Sequence, residues 1–409
     1  MKQFLVFIAI LLYCNLYAQD FNVEEYIQKG IDALENAQYE EAINYLKPCE
    51  KYYSQFSDSV SKSNDAELLS MEATVYSSLG DNKKAIDCET KSAIILKSLY
   101  GENHPDYATS LSNLANYYSG LGDYNKAIEF ETLVLNIRKQ TLGEDNPGYL
   151  TSLINLANYY SNLGDYNKAI EIETQVLNAF KQTLGEDNPY YAKLLNTLAF
   201  YYANLGDYEK AIEIETQVLN IRKQTLGEDH PDYVTSLHIL AGYYGSLGDY
   251  SKAVEIGTQV LNIFKQTLGE NHPNYAVTLG NLANYYANLG DYGKAVEFGT
   301  QVLNIFKQTL GEDNPYYATS LSNLSYFYSN LGDYEKAIEL GTQVLNIQKQ
   351  TLGENHPDYV TSLHNLAGYY GSLGDYGKAV ELETKAMTII KQTLGENHPN
   401  YAVTLGNLA

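Results

Sequence analysis

The sequence predicts an all-α protein, built as a right-handed α-solenoid of stacked antiparallel helix pairs. Three observations lead to this prediction. The dipeptide Gly-Asp recurs every 42 residues at eight positions, the first at Gly80 and the last at Gly374. Proline recurs with the same period from Pro105 to Pro399. Between these markers the apolar residues follow helical spacing, and no segment alternates as a strand does. Self-similarity at a fixed period of this size is typical of repeat proteins.

The charge balance excludes one large class of partners. The chain of 409 residues carries 27 basic and 50 acidic side chains, which gives a net charge of −23. Proteins that bind the phosphate backbone of nucleic acids need a basic surface, so no nucleic-acid partner is expected. The apolar content of 44% is sufficient for a folded core.

Residues 1–18 have the pattern of a secretory signal peptide. Lys2 is followed by an apolar run over residues 4–13, and a cleavage site is expected between Ala18 and Gln19. As a helix the run would span about 15 Å, half of a bilayer core, which disfavours a membrane anchor. Cys14 leaves lipidation as another alternative, disfavoured by the bulky residue before it. We therefore expect an exported protein, periplasmic or extracellular, with no membrane span after cleavage.

Residues 19–62 are predicted to be a divergent N-terminal repeat that caps the array, as solenoids require. Tyr26, Gly30, Tyr39 and Ala42 fit the later repeats. The mature chain keeps two cysteines, Cys49 and Cys88, both at small apolar positions of the repeat. We expect buried free thiols. The alternative, a disulfide, would need Cα atoms within about 7 Å of each other.

Residues 63–409 are predicted to form the repeat array, and one unit illustrates its first helix. Pro105 can open a helix, because its missing N–H would lack a partner there anyway. An apolar stripe at i, i+3, i+4 and i+7 follows at Leu111, Leu114, Ala115 and Tyr118. Gly122 then breaks the chain.

The second helix of this unit begins after Asp123, which is predicted to cap it. Its apolar stripe consists of Ala127, Phe130, Val134 and Ile137. Gly143 is predicted to end the helix. A single pair buries too little apolar surface to fold alone, so stacked pairs should stabilise one another in one elongated domain.

The last repeat is truncated, because Ala409 falls inside a first helix. Residues Lys391–Ala409 are identical to Lys265–Ala283, three repeats earlier. We therefore expect the native protein to continue past Ala409 with a similar sequence.

The pattern Leu-x2-Leu-Ala-x2-Tyr, followed by Ala127 and Pro147, resembles the tetratricopeptide repeat. The repeat length and loops such as Leu226-Gly227-Glu228-Asp229-His230-Pro231 resemble the kinesin-light-chain type, here in a bacterial exported form. The resemblance implies protein–protein interaction, with extended peptides lying along a concave surface built from first helices. It places asparagines on that surface at Asn113, Asn116, Asn155, Asn158, Asn281, Asn284, Asn323, Asn365 and Asn407. Thr197, Ile239, Phe200, Gly242, Tyr326 and Gly368 depart from this pattern.

An asparagine amide offers both a donor and an acceptor, which suits recognition of a peptide backbone. The alternative is that asparagine stands there only as a small polar residue. A terminal-carboxylate clamp would need basic residues, and only Lys193 stands at a matching position. The inner surface is predicted to be neutral and the outside acidic, with the acidic residues of one unit at Asp123, Glu129, Glu131 and Glu144.

Other constellations favour structural roles. The five histidines before proline are expected to cap helices instead of binding metal. The Glu-Asp loops are expected to be solvated instead of binding cations. The Tyr-Tyr pairs, such as Tyr117 and Tyr118, are expected to pack in the core instead of stacking on sugars. No catalytic residue, metal site or cofactor is predicted, and the chain is not expected to be an enzyme.

Two functional hypotheses follow. The first is an exported scaffold that binds a protein or extended peptide. The second is the recognition part of a longer protein that carries a caspase-like peptidase or signalling domain beyond residue 409. Self-assembly through repeat edges is a third alternative, and the sequence predicts neither the partner's identity nor the oligomeric state.

Overall fold

The computed structural model describes residues 22–408, except for the side chain of Leu184. These residues form 19 α-helices and no strand. The predicted signal peptide, with Cys14, lies outside the described residues. The chain divides into two compact units, Met1–Gly185 and Glu186–Ala409. The predicted all-α repeat architecture is confirmed.

The first unit contains four helix pairs. They are α1 Val23–Glu35 and α2 Tyr39–Tyr53, α3 Ser59–Ser78 and α4 Asn82–Tyr100, α5 Pro105–Gly120 and α6 Tyr124–Leu142, and α7 Pro147–Leu163 and α8 Tyr166–Leu184. Each helix packs against the next one along the chain.

The second unit contains five helix pairs and one further helix. They are α9 Pro189–Asn204 and α10 Tyr208–Leu226, α11 Pro231–Leu247 and α12 Tyr250–Thr267, α13 Pro273–Asn288 and α14 Tyr292–Thr309, α15 Pro315–Leu331 and α16 Tyr334–Thr351, α17 Pro357–Leu373 and α18 Tyr376–Thr393, and α19 Pro399–Leu408. Within 22–408 no helix is both long enough and apolar enough to cross a bilayer.

First helices from α5 onward begin at the periodic proline, and the residue before it caps the helix. The Asn146 side chain accepts a hydrogen bond from the Gly148 N–H at 2.8 Å. The ring Nδ1 of His104 accepts from the Asp106 N–H at 3.2 Å. The expected helix-capping role is confirmed for His104, His230, His272, His356 and His398.

The turn inside each pair depends on a glycine that adopts a left-handed backbone. Gly122 has φ +79°, which L side chains rarely adopt. Asp123 follows and its carboxylate accepts from the Lys126 N–H at 3.2 Å, which confirms its capping role. The second helix ends at Gly143, also at positive φ.

The apolar stripes of both helices form the core, as predicted. In the first unit Leu111, Leu114 and Val134 are buried together. In the second unit Leu321 and Phe327 belong to a larger cluster. Cys49 and Cys88 are both free and buried, which confirms the expectation of two buried thiols.

Candidate functional site

The candidate site is the face of the first helices on which the predicted asparagines stand. We define the amide column as the register of Asn113, which continues through Asn155, Thr197, Ile239, Asn281, Asn323, Asn365 and Asn407. We define the second column as the register three residues later, namely Asn116, Asn158, Phe200, Gly242, Asn284, Tyr326 and Gly368. Residues three apart on a helix are neighbours on its surface, so the columns run side by side within each unit.

Several second helices carry a glutamate that packs against the buried side of this face. Glu89, Glu131 and Glu215 each have 0% exposure. The prediction that Glu131 belongs to an acidic outside is therefore wrong. Glu131 stands four residues after Ala127, on the stripe that faces the core. Of the residues predicted with it, Glu129 and Glu144 are exposed.

Side chains of first helices donate hydrogen bonds to these buried carboxylates, although Oε1 of Glu131 and Oε1 of Glu215 have no partner among the described residues. Ser110 Oγ donates to Glu89 Oε1 at 2.6 Å, and Ser70 Oγ lies 3.1 Å from Glu89 Oε2. Asn113 Nδ2 donates to Ser70 Oγ at 3.4 Å, and the Asn113 amide lowers the pKa of Glu89. Burial raises the pKa of Glu89, and these three donors oppose that shift because they favour the charged form.

The next repeat shows the same arrangement. Ser112 Oγ donates to Glu131 Oε2 at 3.0 Å, and the Asn155 amide lowers the pKa of Glu131 against the larger effect of burial. In the second unit Asn196 Nδ2 donates to Glu215 Oε2 at 2.8 Å. The structure thus directs the predicted site residues Asn113 and Asn155 inward, towards buried glutamates of the preceding pair.

Glycine replaces the glutamate at this register in three consecutive second helices. A Cβ atom on Gly257, Gly299 or Gly341 would lie 3.0, 3.2 or 3.3 Å from a leucine methyl group. The leucines are Leu282, Leu324 and Leu366. In these three repeats no carboxylate lies on the buried side of the amide column. Asn281, Asn323 and Asn365 therefore have no glutamate as an inward partner.

The asparagines above these glycines differ from the first two. Asn281 donates to His238, with 2.8 Å between Nδ2 and Nε2. The side chains of Asn323 and Asn365 form no hydrogen bond with any described residue, and Asn365 is exposed. Burial lowers the pKa of His238, which keeps its ring neutral.

Glutamate returns at the last described pair. Glu383 Oε2 lies 2.7 Å from His364 Nδ1, and Asn407 Nδ2 donates to Glu383 Oε1 at 3.2 Å. Asn407 therefore belongs with Asn113 and Asn155, directed inward.

The second column also contains two kinds of asparagine. Asn116 accepts from the Tyr159 hydroxyl of the next pair at 2.7 Å. Asn158 is exposed, as Asn116 is, and it also has an interaction partner. For Asn284, the residue that corresponds to Tyr159 is Phe327, which has no hydroxyl. The Asn284 side chain forms no hydrogen bond with any described residue.

The Tyr-Tyr pairs pack as predicted. Tyr117 is buried and Tyr118 is half-buried against Phe130, with ring centroids 5.5 Å apart. Burial raises the pKa of Tyr117 to about 12.

The face has little charge in the second unit. Helices α13 and α15 contain no charged residue, and Lys193 is the charged residue of α9. Among the described residues no three His, Cys, Asp or Glu side chains converge as metal ligands.

In the sequence, Phe200, Gly242, Tyr326 and Gly368 stand out only as departures from asparagine. The structure places Phe200 and Tyr326 half in solvent, with 49% and 51% exposure. Their position in the repeat could have identified them as functional candidates, because a large aromatic residue is unusual at an exposed register that otherwise contains Asn and Gly.

Comparison with known families identifies the repeats. The tetratricopeptide repeat model matches residues 64–140, 132–182, 174–224, 190–266, 258–308, 300–350 and 316–392. A model of anaphase-promoting complex subunit 5 matches residues 26–96. None of the curated proteins matches the sequence.

Several solved structures are similar. A kinesin-light-chain protein with nearly identical TPR-like repeats from Podosopora anserina is 33% identical, with a TM-score of 0.47, over 51% of this chain and 98% of its own. BtubC (BKLC) from P. vanneervenii is 23% identical, with a TM-score of 0.47, over 58% and 92%. The apo quorum sensor NprR from B. thuringiensis is 16% identical, with a TM-score of 0.52, over 85% and 94%. The likeness to NprR supports the fold alone.

Proposed function

Because the chain belongs to the tetratricopeptide repeat family, we propose that it is an exported scaffold for protein–protein interaction. In this proposal it binds extended polypeptide segments along the first-helix face. The 42-residue period and the Leu-Gly-Glu-x-His-Pro loops support assignment to the kinesin-light-chain type, and a bacterial origin is part of the proposal. Members of this repeat family are generally non-enzymatic scaffolds, and no catalytic domain is indicated.

One observation carries the proposal. Asn284, Asn323 and Asn365 present side-chain amides without a partner among the described residues, on and beside helices that have no charge. An extended chain has unpaired backbone N–H and C=O groups, which must be satisfied when it is bound. Each amide supplies one donor group and one acceptor, so a row of amides can bind a backbone without selecting charged side chains.

The first test removes these amides. We expect Asn284→Ala, Asn323→Ala and Asn365→Ala together to weaken binding about tenfold or more, since each lost hydrogen bond contributes about 1 kcal/mol. Helicity and the unfolding temperature should stay unchanged, because none of the three amides has a structural partner. Binding is measured on an array of uncharged peptides of about 15 residues, long enough to cross several repeats.

The matched control uses asparagines that look the same in sequence. Asn113→Ala and Asn155→Ala should lower stability by about 1 kcal/mol each, because each amide favours the charged form of the buried glutamate in the preceding pair. Peptide binding in the second unit should persist. Unchanged peptide binding by the triple variant would refute the role of these amides.

Export is the part of the proposal that depends on residues 1–18. The charged start, short apolar run and small residue at Ala18 support a cleaved signal peptide. Expression of the full chain in a bacterium should give a mature, exported protein that starts at Gln19, determined by N-terminal sequencing. A full-length cytoplasmic product that retains Met1 would contradict export.

The second hypothesis places a caspase-like peptidase or signalling domain beyond residue 409. It makes the same face a recognition module and differs only in what recognition triggers. Sequencing the gene downstream of codon 409 tests it directly.

A further inference from the structure

Two half-exposed aromatic side chains stand in the second column of the C-terminal unit. Phe200 on α9 and Tyr326 on α15 are separated by three repeats, or 126 residues. Each occupies the register of the exposed Asn116. Burial of either ring by a ligand would remove apolar surface from water, which favours binding.

The same column contains glycines that packing does not require. A Cβ atom on Gly242 or Gly368 would have no atom within 4 Å. By contrast, a Cβ on Gly245 of the same α11 helix would lie 2.7 Å from Tyr285 Cε1. Glycine inside a helix lowers its stability relative to alanine. Gly242 and Gly368 therefore lower the stability of their helices. Because they have no side chain, each leaves a depression in the surface beside an aromatic ring.

The surface between the two rings favours an uncharged occupant. From Phe200 to Tyr326 the column passes Gly242 and Asn284, and neither α13 nor α15 carries charge. Lys193 lies two helical turns before Phe200 on α9. A charged side chain placed between the rings would lose hydration without gaining an ion pair.

The spacing of the rings sets the spacing in the ligand. Packed helices lie about 10 Å apart, so three repeats separate the rings by about 30 Å. An extended chain advances about 3.3 Å per residue, which makes this distance about nine residues.

We propose that this column selects an uncharged extended polypeptide with two apolar side chains about nine residues apart, one packed on Phe200 and one on Tyr326. Its backbone passes closely over Gly242 and pairs with Asn284. This inference rests on the proposed function and adds the sequence class of the partner.

The test uses the full chain and an array of uncharged peptides in a Ser/Thr/Gln background. Each peptide carries two leucines, separated by about three to about twelve residues. Binding should peak near a separation of nine. Phe200→Ala or Tyr326→Ala should weaken that peak about tenfold and abolish the spacing preference, whereas Phe200→Leu and Tyr326→Phe should retain both.

Two further variants separate binding from folding. Tyr316 is 61% exposed on α15 but lies outside the column, so Tyr316→Ala should leave binding unchanged. Gly242→Gln with Gly368→Gln should raise the unfolding temperature, because glutamine favours helix, yet weaken binding. A purely structural role for these glycines predicts no loss of binding.

The outcomes distinguish the two proposals. Peptides that bind without spacing preference and despite Phe200→Ala and Tyr326→Ala, yet depend on Asn284, Asn323 and Asn365, overturn this inference and leave the proposed function intact. An array on which no peptide binds overturns both. Binding of neutral oligosaccharides that depends on the two rings, without peptide binding, makes the occupant a sugar and also overturns the inference.

Discussion

Gly299→Glu is expected to destabilise the C-terminal unit strongly, although glutamate is the native residue at the same register in Glu131 and Glu215. A Cβ at Gly299 would lie 3.2 Å from Leu324 Cδ1 and 3.5 Å from Phe327. The carboxylate would also lack the donor from its own pair, because the residue that corresponds to Asn196 is Gly280, and only Ser320 and Asn323, at the places of Ser110 and Asn113, would remain as donors. A buried carboxylate with an incomplete set of donors costs about 1–3 kcal/mol, and overpacking adds about 1–3 kcal/mol. The sum is a large part of the stability of a typical domain.

Denaturant unfolding followed by circular dichroism measures this effect. Gly299→Ala is the size control and should change stability by about 1 kcal/mol or less, because only the leucine methyl must move. Adding Gly280→Asn to Gly299→Glu should recover part of the loss, since it recreates the Asn196–Glu215 pair. Wild-type stability of the single Gly299→Glu variant would show that this register needs no donor.

The second large effect is the pH dependence that Glu173 introduces into the N-terminal unit. Glu173 is 1% exposed, and neither carboxylate oxygen accepts a hydrogen bond from a described residue. The donor position of its own pair is occupied by Ile154, where Glu131 has Ser112. Burial raises the pKa of Glu173 from 4.5 to about 7.

This raised pKa makes the folded state less stable as pH increases. Below pH 4.5 the carboxyl is protonated in both the folded and the unfolded chain, so ionisation adds no penalty. Between 4.5 and about 7 the unfolded chain releases the proton while the folded chain keeps it, and stability falls. The accumulated loss above about pH 7 is about 3 kcal/mol.

Glu173→Gln should therefore stabilise the protein by about 3 kcal/mol near pH 8 and have a much smaller effect near pH 4. The unfolding free energy measured across this range checks it. Ile154→Asn should act in the same direction, because it supplies a donor and lowers the pKa of Glu173.

Glu129→Gln, at an exposed position, is the control. Burial also raises the pKa of Glu72 to about 7, so part of the slope should persist in every variant. An unaltered slope in Glu173→Gln would contradict the assignment.

Helix boundaries could be predicted from the sequence because their causes are local. Pro105, Gly122, Asp123 and Gly143 act through their own backbone conformation or through a neighbour three residues away. The burial of Glu131 depends on a donor from another helix, Ser112. Glutamate is rarely buried unless it is paired, so the residue type alone suggested an exposed position. Its spacing from Ala127 contained the contrary signal.

The asparagines show the same limit more clearly. Asn113 and Asn323 occupy equivalent positions in nearly identical helices. They differ in what stands 24 residues earlier, Glu89 for the first and Gly299 for the second. A rule that reads one repeat at a time gives both the same role. The distinction exists only when each first helix is compared with the second helix of the preceding pair.

The alternation between glutamate and glycine beneath the amide column also constrains how such a gene can change length. Recombination between nearly identical DNA repeats adds or deletes whole units. Where consecutive junctions are of one kind, as around Gly257, Gly299 and Gly341, a unit inserted or lost leaves every remaining junction chemically unchanged. Beside Glu131 or Glu383, the same event can separate a carboxylate from its donor in the following pair. The glycine-bearing stretch is thus the part of the chain in which an added copy keeps these junctions intact, and each copy added between Phe200 and Tyr326 would lengthen the proposed ligand spacing by about three residues.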